Sequence, residues 1–170
     1  MTVFSSLSGA LHADGPAAEL EAKLQLYGRL LGDWEMDAHR PLPDATVAKG
    51  RGEIHFGWIL GGRAIQDVWH VGGPGGKPSL YGTTLRVYDP GIDAWHIIWV
   101  DPLGQNHLRQ TGRAEGPDIV QLGKDAGGAE TRWRFTELTG SSFHWIGERR
   151  ATDSDPWQLV VEFFARRKAG

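Results

Sequence analysis

The chain contains no cysteine. Disulfides, zinc–thiolate sites, iron–sulfur clusters and thiol nucleophiles are therefore excluded together. No stretch approaches the ~18 consecutive apolar residues of a membrane-spanning helix. Charge of one sign is not in excess either: 18 Lys and Arg stand against 21 Asp and Glu, a formal net charge of −3. That balance offers no basic footprint for nucleic acid and no polybasic block for an anionic membrane. The opening Met1-Thr2-Val3-Phe4-Ser5-Ser6-Leu7 lacks the basic stretch and long apolar core of a secretory signal. The expectation is a soluble, cytoplasmic protein.

Catalytic and metal-binding motifs are scarce too. The seven histidines (His12, His39, His55, His70, His96, His107 and His144) form no His-x-His or His-Glu-x-x-His arrangement, so no metal site is expected. There is no Gly-x-Ser-x-Gly elbow. Gly72-Gly73-Pro74-Gly75-Gly76 lacks the Lys-Ser/Thr that would follow in a phosphate loop, and reads as a hairpin connection.

What is present is glycine, proline and tryptophan. The 170 residues include 24 Gly, 9 Pro and 8 Trp, in a length that suits one domain. The glycines and prolines fall between short hydrophobic runs, as turns do. Residues 1–15 show no periodicity and read as a flexible arm, leaving 16–170 as the single domain. Leu20, Leu24, Tyr27 and Leu31 form one stripe of an amphipathic helix beginning at Pro16. From Gly32 onward the pattern predicts ten strands: 32–39, 50–59, 63–71, 80–88, 94–101, 107–113, 118–123, 130–138, 142–149 and 157–167. So many short strands with turns between them predict an all-β fold. The short loops favour an up-and-down antiparallel β-barrel of about ten strands with one N-terminal helix.

Opposed residues of antiparallel strands share a face, so each turn predicts a register. Centring a turn on Gly61-Gly62 pairs Trp58 with Ile65, Phe56 with Asp67, and Ile54 with Trp69. Centring one on Gly91 pairs Thr83 with Trp99, Leu85 with Ile97, and Val87 with Trp95, with Arg86 opposite His96 on the other face. Around Gly140, Phe135 meets Trp145 and Glu137 meets Phe143, while Arg132 meets Glu148 on the reverse side. Around Asp153, Val161 meets Trp145, Phe163 meets Phe143 and Glu162 meets His144. Trp34, Met36 and Ala38 alternate with acidic residues along the first strand. The result is a wall with one aromatic face and one polar face.

Aromatic residues sharing a strand face are ordinary core material. Barrel diameter grows with strand number, however, and eight strands already suffice for a packed interior or one small ligand. Ten strands therefore predict an enclosed pocket. Its expected lining is Trp34, Phe56, Trp58, Asp67, Trp69, Tyr81, Thr83, Trp95, Trp99, Gln110, Trp133, Phe135, Phe143 and Trp145. A one-residue slip in a hairpin would exchange the polar members for Gln66, Thr84, Arg86 and Arg109.

Gly32-Asp33-Trp34 on the first strand and Arg166-Arg167 on the last resemble the calycins, the superfamily of lipocalins and fatty-acid-binding-like barrels. In lipocalins an arginine of the final strand packs over that tryptophan. The stretches Gly57 to Trp69 and Tyr81 to Pro90 resemble a bacterial lipocalin-like family with no assigned reaction. The Thr-Asp-Tyr motif of secreted lipocalins is missing, and residues 40 to 50 leave no room for the helical lid of fatty-acid-binding proteins. Nitrobindin-like haem proteins share the Gly-x-Trp start but place their proximal histidine near the C-terminus, where the nearest candidate here is His144.

The function expected is binding of a small hydrophobic or aromatic molecule. The alternative is an enzyme of isomerase, cyclase or hydrolase type using the same cavity, with Asp67 as acid or base. Haem, held by His144, is a minor alternative. Strand 94–101 is apolar on both faces, so its outer side should be covered either by the helix or by a second subunit, the latter giving a homodimer.

Overall fold

The computed structural model describes residues 6–169. Ten strands run in sequence: β1 (Gly32–Pro41), β2 (Val47–Ile59), β3 (Ala64–Gly72), β4 (Pro78–Asp89), β5 (Ala94–Asp101), β6 (Asn106–Glu115), β7 (Asp118–Lys124), β8 (Glu130–Thr136), β9 (Ser142–Arg150) and β10 (Gln158–Arg167). Each pairs antiparallel with its neighbour in sequence, and β1 pairs with β10 to close the barrel. Closure leaves no unpaired sheet edge. Among the described residues, no helix is long and apolar enough to cross a membrane.

The segment expected as a flexible arm has local structure in its described part. Leu7–Leu11 form a short helix, α1, with the Ser6 hydroxyl accepting from the Gly9 N–H at 3.0 Å. Beyond it, the Ala13 N–H donates to Trp58 O at 3.0 Å, and the Leu60 N–H donates to Leu11 O at 2.9 Å. The cause is a length mismatch. β1 begins at Gly32 opposite Phe56, so Trp58 and Ile59 have no β1 partner. Residues 11–13 supply the missing backbone partners.

The helical stripe forms as a 3₁₀ turn at Ala18–Leu20 followed by α2 (Glu21–Gly28). It ends sooner than the stripe suggests. Leu24, Tyr27 and Leu30 are fully buried, because α2 lies over the end of the barrel and plugs it. The Tyr27 ring centroid lies 4.8 Å from that of Trp95 and 6.3 Å from that of Phe135, both edge-on. Gly112 makes room for this entry, since a Cβ there would collide with the Tyr27 hydroxyl. The helix therefore does not cover the outer face of β5, where Val100 remains 44% exposed.

The expected registers divide three ways. Around Gly61-Gly62, Phe56 pairs with Asp67, Trp58 with Ile65 and Ile54 with Trp69, as the turn predicts. Phe135 pairs with Trp145 and Arg132 with Glu148. Glu137 does not join this ladder, which stops at Thr136; its φ of 52° turns the chain into the loop. In β10 the pairing is shifted by two, one residue at the β9–β10 connection and one at an irregularity between Leu159 and Val161, so Phe163 meets Trp145 and Ala165 meets Phe143. A shift of two keeps every side chain on its expected face.

The β4–β5 pairing is displaced by one. Thr84 meets Trp99, Arg86 meets Ile97 and Tyr88 meets Trp95. The connection holds four residues, Pro90 to Asp93, rather than three. The Asp89 carboxylate accepts from the Gly91 N–H at 2.8 Å, and Asp93 takes a φ of 46°. A one-residue slip exchanges the two faces of a strand. Thr84, Arg86 and Tyr88 consequently turn inward and are buried, whereas Thr83, Leu85 and Val87 face outward.

Candidate functional site

The two ends of the barrel differ. At the α2 end, Trp34, Phe56, Trp95, Phe135 and Phe143 pack tightly with Tyr27. At the opposite end, where the β5–β6, β7–β8 and β9–β10 loops lie, a cavity of about 280 Å³ remains. Four tryptophans line it: Trp69, Trp99, Trp133 and Trp145, with Leu80, Leu108 and Phe163. They form a continuous belt. Ring centroids are 6.0 Å apart for Trp99 and Trp133, 5.4 Å for Trp133 and Trp145, and 5.5 Å for Trp145 and Trp69.

Strand geometry explains why these rings leave a gap. Trp69 and Trp99 occupy inward positions toward the open ends of β3 and β5, and Trp133 and Trp145 lie near the middle of β8 and β9. Glycines stand beside two of them. A Cβ at Gly82 would strike the Trp99 ring, and one at Gly147 would come within 2.8 Å of the Trp145 ring. Large side chains thus lie across small ones.

The inner polar lining comes from Thr84, Arg86 and Thr131, and Asp101, Asn106, Asp125, Glu148 and Arg149 line the cavity toward its rim. Arg86 is 1% exposed. Its guanidinium sits among aromatic rings, 5.2 Å from the Tyr27 centroid, 5.5 Å from Phe56 and 5.7 Å from Phe135. One Nη of Arg86 donates to Asp67, whose other carboxylate oxygen accepts from the Thr84 N–H at 2.8 Å. A buried charge needs such a partner. Two buried donors lack one: Arg86 Nε and the indole Nε1 of Trp69.

From the cavity wall a hydrogen-bonded chain runs to the plug. Gln110 Nε2 donates to the Thr131 hydroxyl at 3.1 Å, Gln121 Nε2 donates to Gln110 Oε1 at 3.4 Å, and the Tyr27 hydroxyl donates to Gln121 Oε1 at 3.0 Å. Burial pushes the Tyr27 phenol well above its ordinary range, against the opposing pull of the Arg86 charge. Tyr27 is accordingly a neutral donor.

At the rim, Asp125 accepts from Arg149 Nε at 2.6 Å, and that bond holds its carboxyl below the usual range. Glu148 accepts from Arg132 Nε at 2.8 Å and Arg134 Nε at 3.1 Å. Partial burial works to raise its pKa, but the two arginines outweigh it and the net shift is downward.

Of the residues expected to line the pocket, Trp69, Trp99, Trp133 and Trp145 do so. Trp34, Phe56, Trp95, Phe135 and Phe143 belong instead to the packed end, and Trp58 lies against Gly28 of α2. Gln110 is buried one hydrogen bond behind Thr131. Asp67 points inward but stands behind Arg86, with both carboxylate oxygens engaged. Tyr81 is 50% exposed on the outer wall, and the outward Thr83 donates to Asp67 O at 2.5 Å. Thr84 and Arg86 were reachable only through the alternative register. Thr131 and Leu108 are inward by simple alternation with Trp133 and Gln110, a signal the sequence does contain.

The cavity does not suit haem. An axial ligand is required, and no histidine, cysteine, methionine or tyrosine lines the wall. His144 lies on the outer face, its Nε2 2.8 Å from Glu162 Oε2 and its ring stacked on Phe164 at 4.3 Å. Its neighbours Phe143 and Trp145 point inward, so alternation turns His144 out.

No protein-family model matches the chain, and no curated protein matches its sequence. Solved structures do match its fold. Rv2717c from M. tuberculosis is 18% identical, with a TM-score of 0.61 over 91% of this chain and 99% of that one. The S-type phycobiliprotein lyase CPES from Guillardia theta is 10% identical, with a TM-score of 0.60 over 91% of this chain and 99% of that one. At such identities the similarity concerns architecture: the chain has a calycin-like barrel.

Proposed function

We propose that the protein binds one small, largely apolar aromatic molecule at the open end of the barrel. The observation that carries this is the unequal filling of the interior. One end is packed by α2 and its aromatic neighbours, while four tryptophans at the other surround about 280 Å³ of unfilled space. Interiors without a ligand role are ordinarily close-packed. A mostly apolar cavity with a few polar groups is the usual form of a small-molecule site, and this volume stands near the lower end of the common ~300–1,000 Å³ range. One compact ring system fits that space. Asp67 supports the site indirectly, by neutralising Arg86, rather than as an acid or base at the wall.

The test is titration with N-phenyl-1-naphthylamine, a neutral aromatic probe, followed by tryptophan fluorescence. The expected result is saturable quenching at one equivalent, accompanied by probe emission. A linear, non-saturating response would overturn the proposal. Native mass spectrometry of the purified protein supplies an independent reading, through the mass of any molecule that co-purifies.

A further inference from the structure

The charges of the cavity wall are paired, with one exception. Arg86 is neutralised by Asp67, Arg149 by Asp125, and Glu148 by Arg132 and Arg134. Asp101 also lines the cavity, and among the described residues it has no cationic partner. Alternation puts it there. Ile97 and Trp99 are buried on the inward face of β5, and Asp101 continues their row to the mouth. Directly across the ladder stands Asn106, which continues the inward row of Gln110 and Leu108 on β6 and also lines the cavity.

The two oxygens of Asp101 are used differently. Oδ1 accepts from the Leu103 and Gly104 N–H groups at 2.9 and 3.0 Å, which holds the carboxylate against the β5–β6 loop, while Oδ2 has no partner among the described residues. Glycine at 104 leaves Oδ2 uncovered, since a Cβ there would lie 2.6 Å from it. The mouth of the cavity therefore presents a positioned carboxylate with an acceptor to spare.

Two features choose the ligand's charge and its orientation. Aromatic rings attract cations, and Trp99 lies two residues before Asp101 in the same row, about 7 Å along the strand. An anion would meet the unpaired Asp101 and find every cation of the wall already engaged. At the inner wall Arg86 opposes a second positive charge, so a cationic group belongs at the mouth and a ring belongs deeper.

We infer that the ligand is an arylalkylammonium ion, its ring held in the tryptophan belt and its ammonium group bound at the mouth by Asp101 and Asn106. This rests on the binding function proposed above and names the ligand class that the site selects.

Three naphthalene probes of similar shape separate the possibilities near neutral pH: 2-(2-naphthyl)ethylamine, 2-propylnaphthalene and 2-naphthylacetate, each titrated to displace bound N-phenyl-1-naphthylamine. The amine should bind more tightly than the acetate. Asp101→Asn keeps an oxygen for the two loop N–H groups and removes the charge. It should weaken the amine about tenfold, the factor that one charge-assisted hydrogen bond contributes, and leave 2-propylnaphthalene unchanged. An amine affinity unchanged in Asp101→Asn, or an equal loss for the amine and the propyl probe, would overturn the inference and leave the apolar site standing. Tightest binding by 2-naphthylacetate would overturn it in favour of an anion site. Saturable binding of N-phenyl-1-naphthylamine that none of the three displaces would overturn the inference alone, whereas no saturable binding of that probe and of the three would overturn the binding function with it.

Discussion

Arg167 lies over Trp34, its guanidinium carbon 4.1 Å from the ring centroid, and the two are direct partners across the β1–β10 seam. The indole N–H donates to Leu30 O at 2.7 Å. The arginine donates through Nη1 to Leu31 O at 2.5 Å and through Nε to Gly140 O at 2.8 Å. One side chain thus joins the last strand, the chain leaving α2 and the β8–β9 loop. Lysine keeps the charge but cannot reproduce the fork or the stacking. Arg167→Lys should cost about 2 kcal/mol, which lowers Tm by roughly 4–8 °C in a domain of this size. A thermal melt followed by near-ultraviolet circular dichroism checks this, and an unchanged midpoint would refute it.

The Asp67–Arg86 pair is completely buried, with side-chain exposures of 0% and 1%. Removing one partner from such a pair typically costs about 3–5 kcal/mol, because the other charge is left unpaired. Asp67→Asn should therefore lower the urea midpoint sharply. Replacing both, as Asp67→Leu with Arg86→Met, should cost less than the single change. A double variant at least as unstable as Asp67→Asn would contradict the idea that an orphaned charge dominates the loss.

Gly82 allows the Trp99 ring to lie across β4. A Cβ there would approach Trp99 Cζ2 to 2.6 Å and Val100 O to 2.7 Å. Gly82→Ala should cost about 1–3 kcal/mol by overpacking and weaken N-phenyl-1-naphthylamine binding as Trp99 is displaced into the cavity. Gly57→Ala is the comparator, since a Cβ at Gly57 meets nothing within 4 Å. If both variants behave alike in stability and probe affinity, the close approach has no consequence.

Glu148 titrates below its ordinary range because Arg132 and Arg134 favour its charged form over the opposing effect of burial. A carboxyl depressed in the folded state contributes stability that is complete above its unfolded pKa and lost as pH falls through its folded one. The stability difference between the parent and Glu148→Gln should therefore be largest above about pH 5 and shrink toward about pH 3. Urea denaturation at several pH values measures it. A difference that stays constant across this window would show that the ion pairs contribute nothing through linkage.

The strands were legible in the sequence because their signals are local. Alternation along residues 32–39, together with turn residues such as Gly61-Gly62 and Thr139-Gly140-Ser141, located elements that the structure reproduces within a few residues at each end. Trp34 and the terminal arginines carried the barrel closure, and Arg167 proved to be the partner.

The binding end depended on tertiary structure. β4 alternates Leu85 and Val87 against Thr84 and Arg86, so hydrophobicity alone turns the wrong face inward; one additional loop residue before β5 reverses it. A buried Arg86 is tolerable only because Asp67 opposite Phe56 on the neighbouring strands stands ready to pair with it. Which end of the barrel is filled was likewise invisible along the chain, since the tryptophans look equivalent there. Tyr27 enters from α2 at one end, and the rings at the other end have no such plug. Periodicity is a property of a few neighbouring residues, whereas an unfilled volume is what remains after all ten strands and the helix have claimed their space.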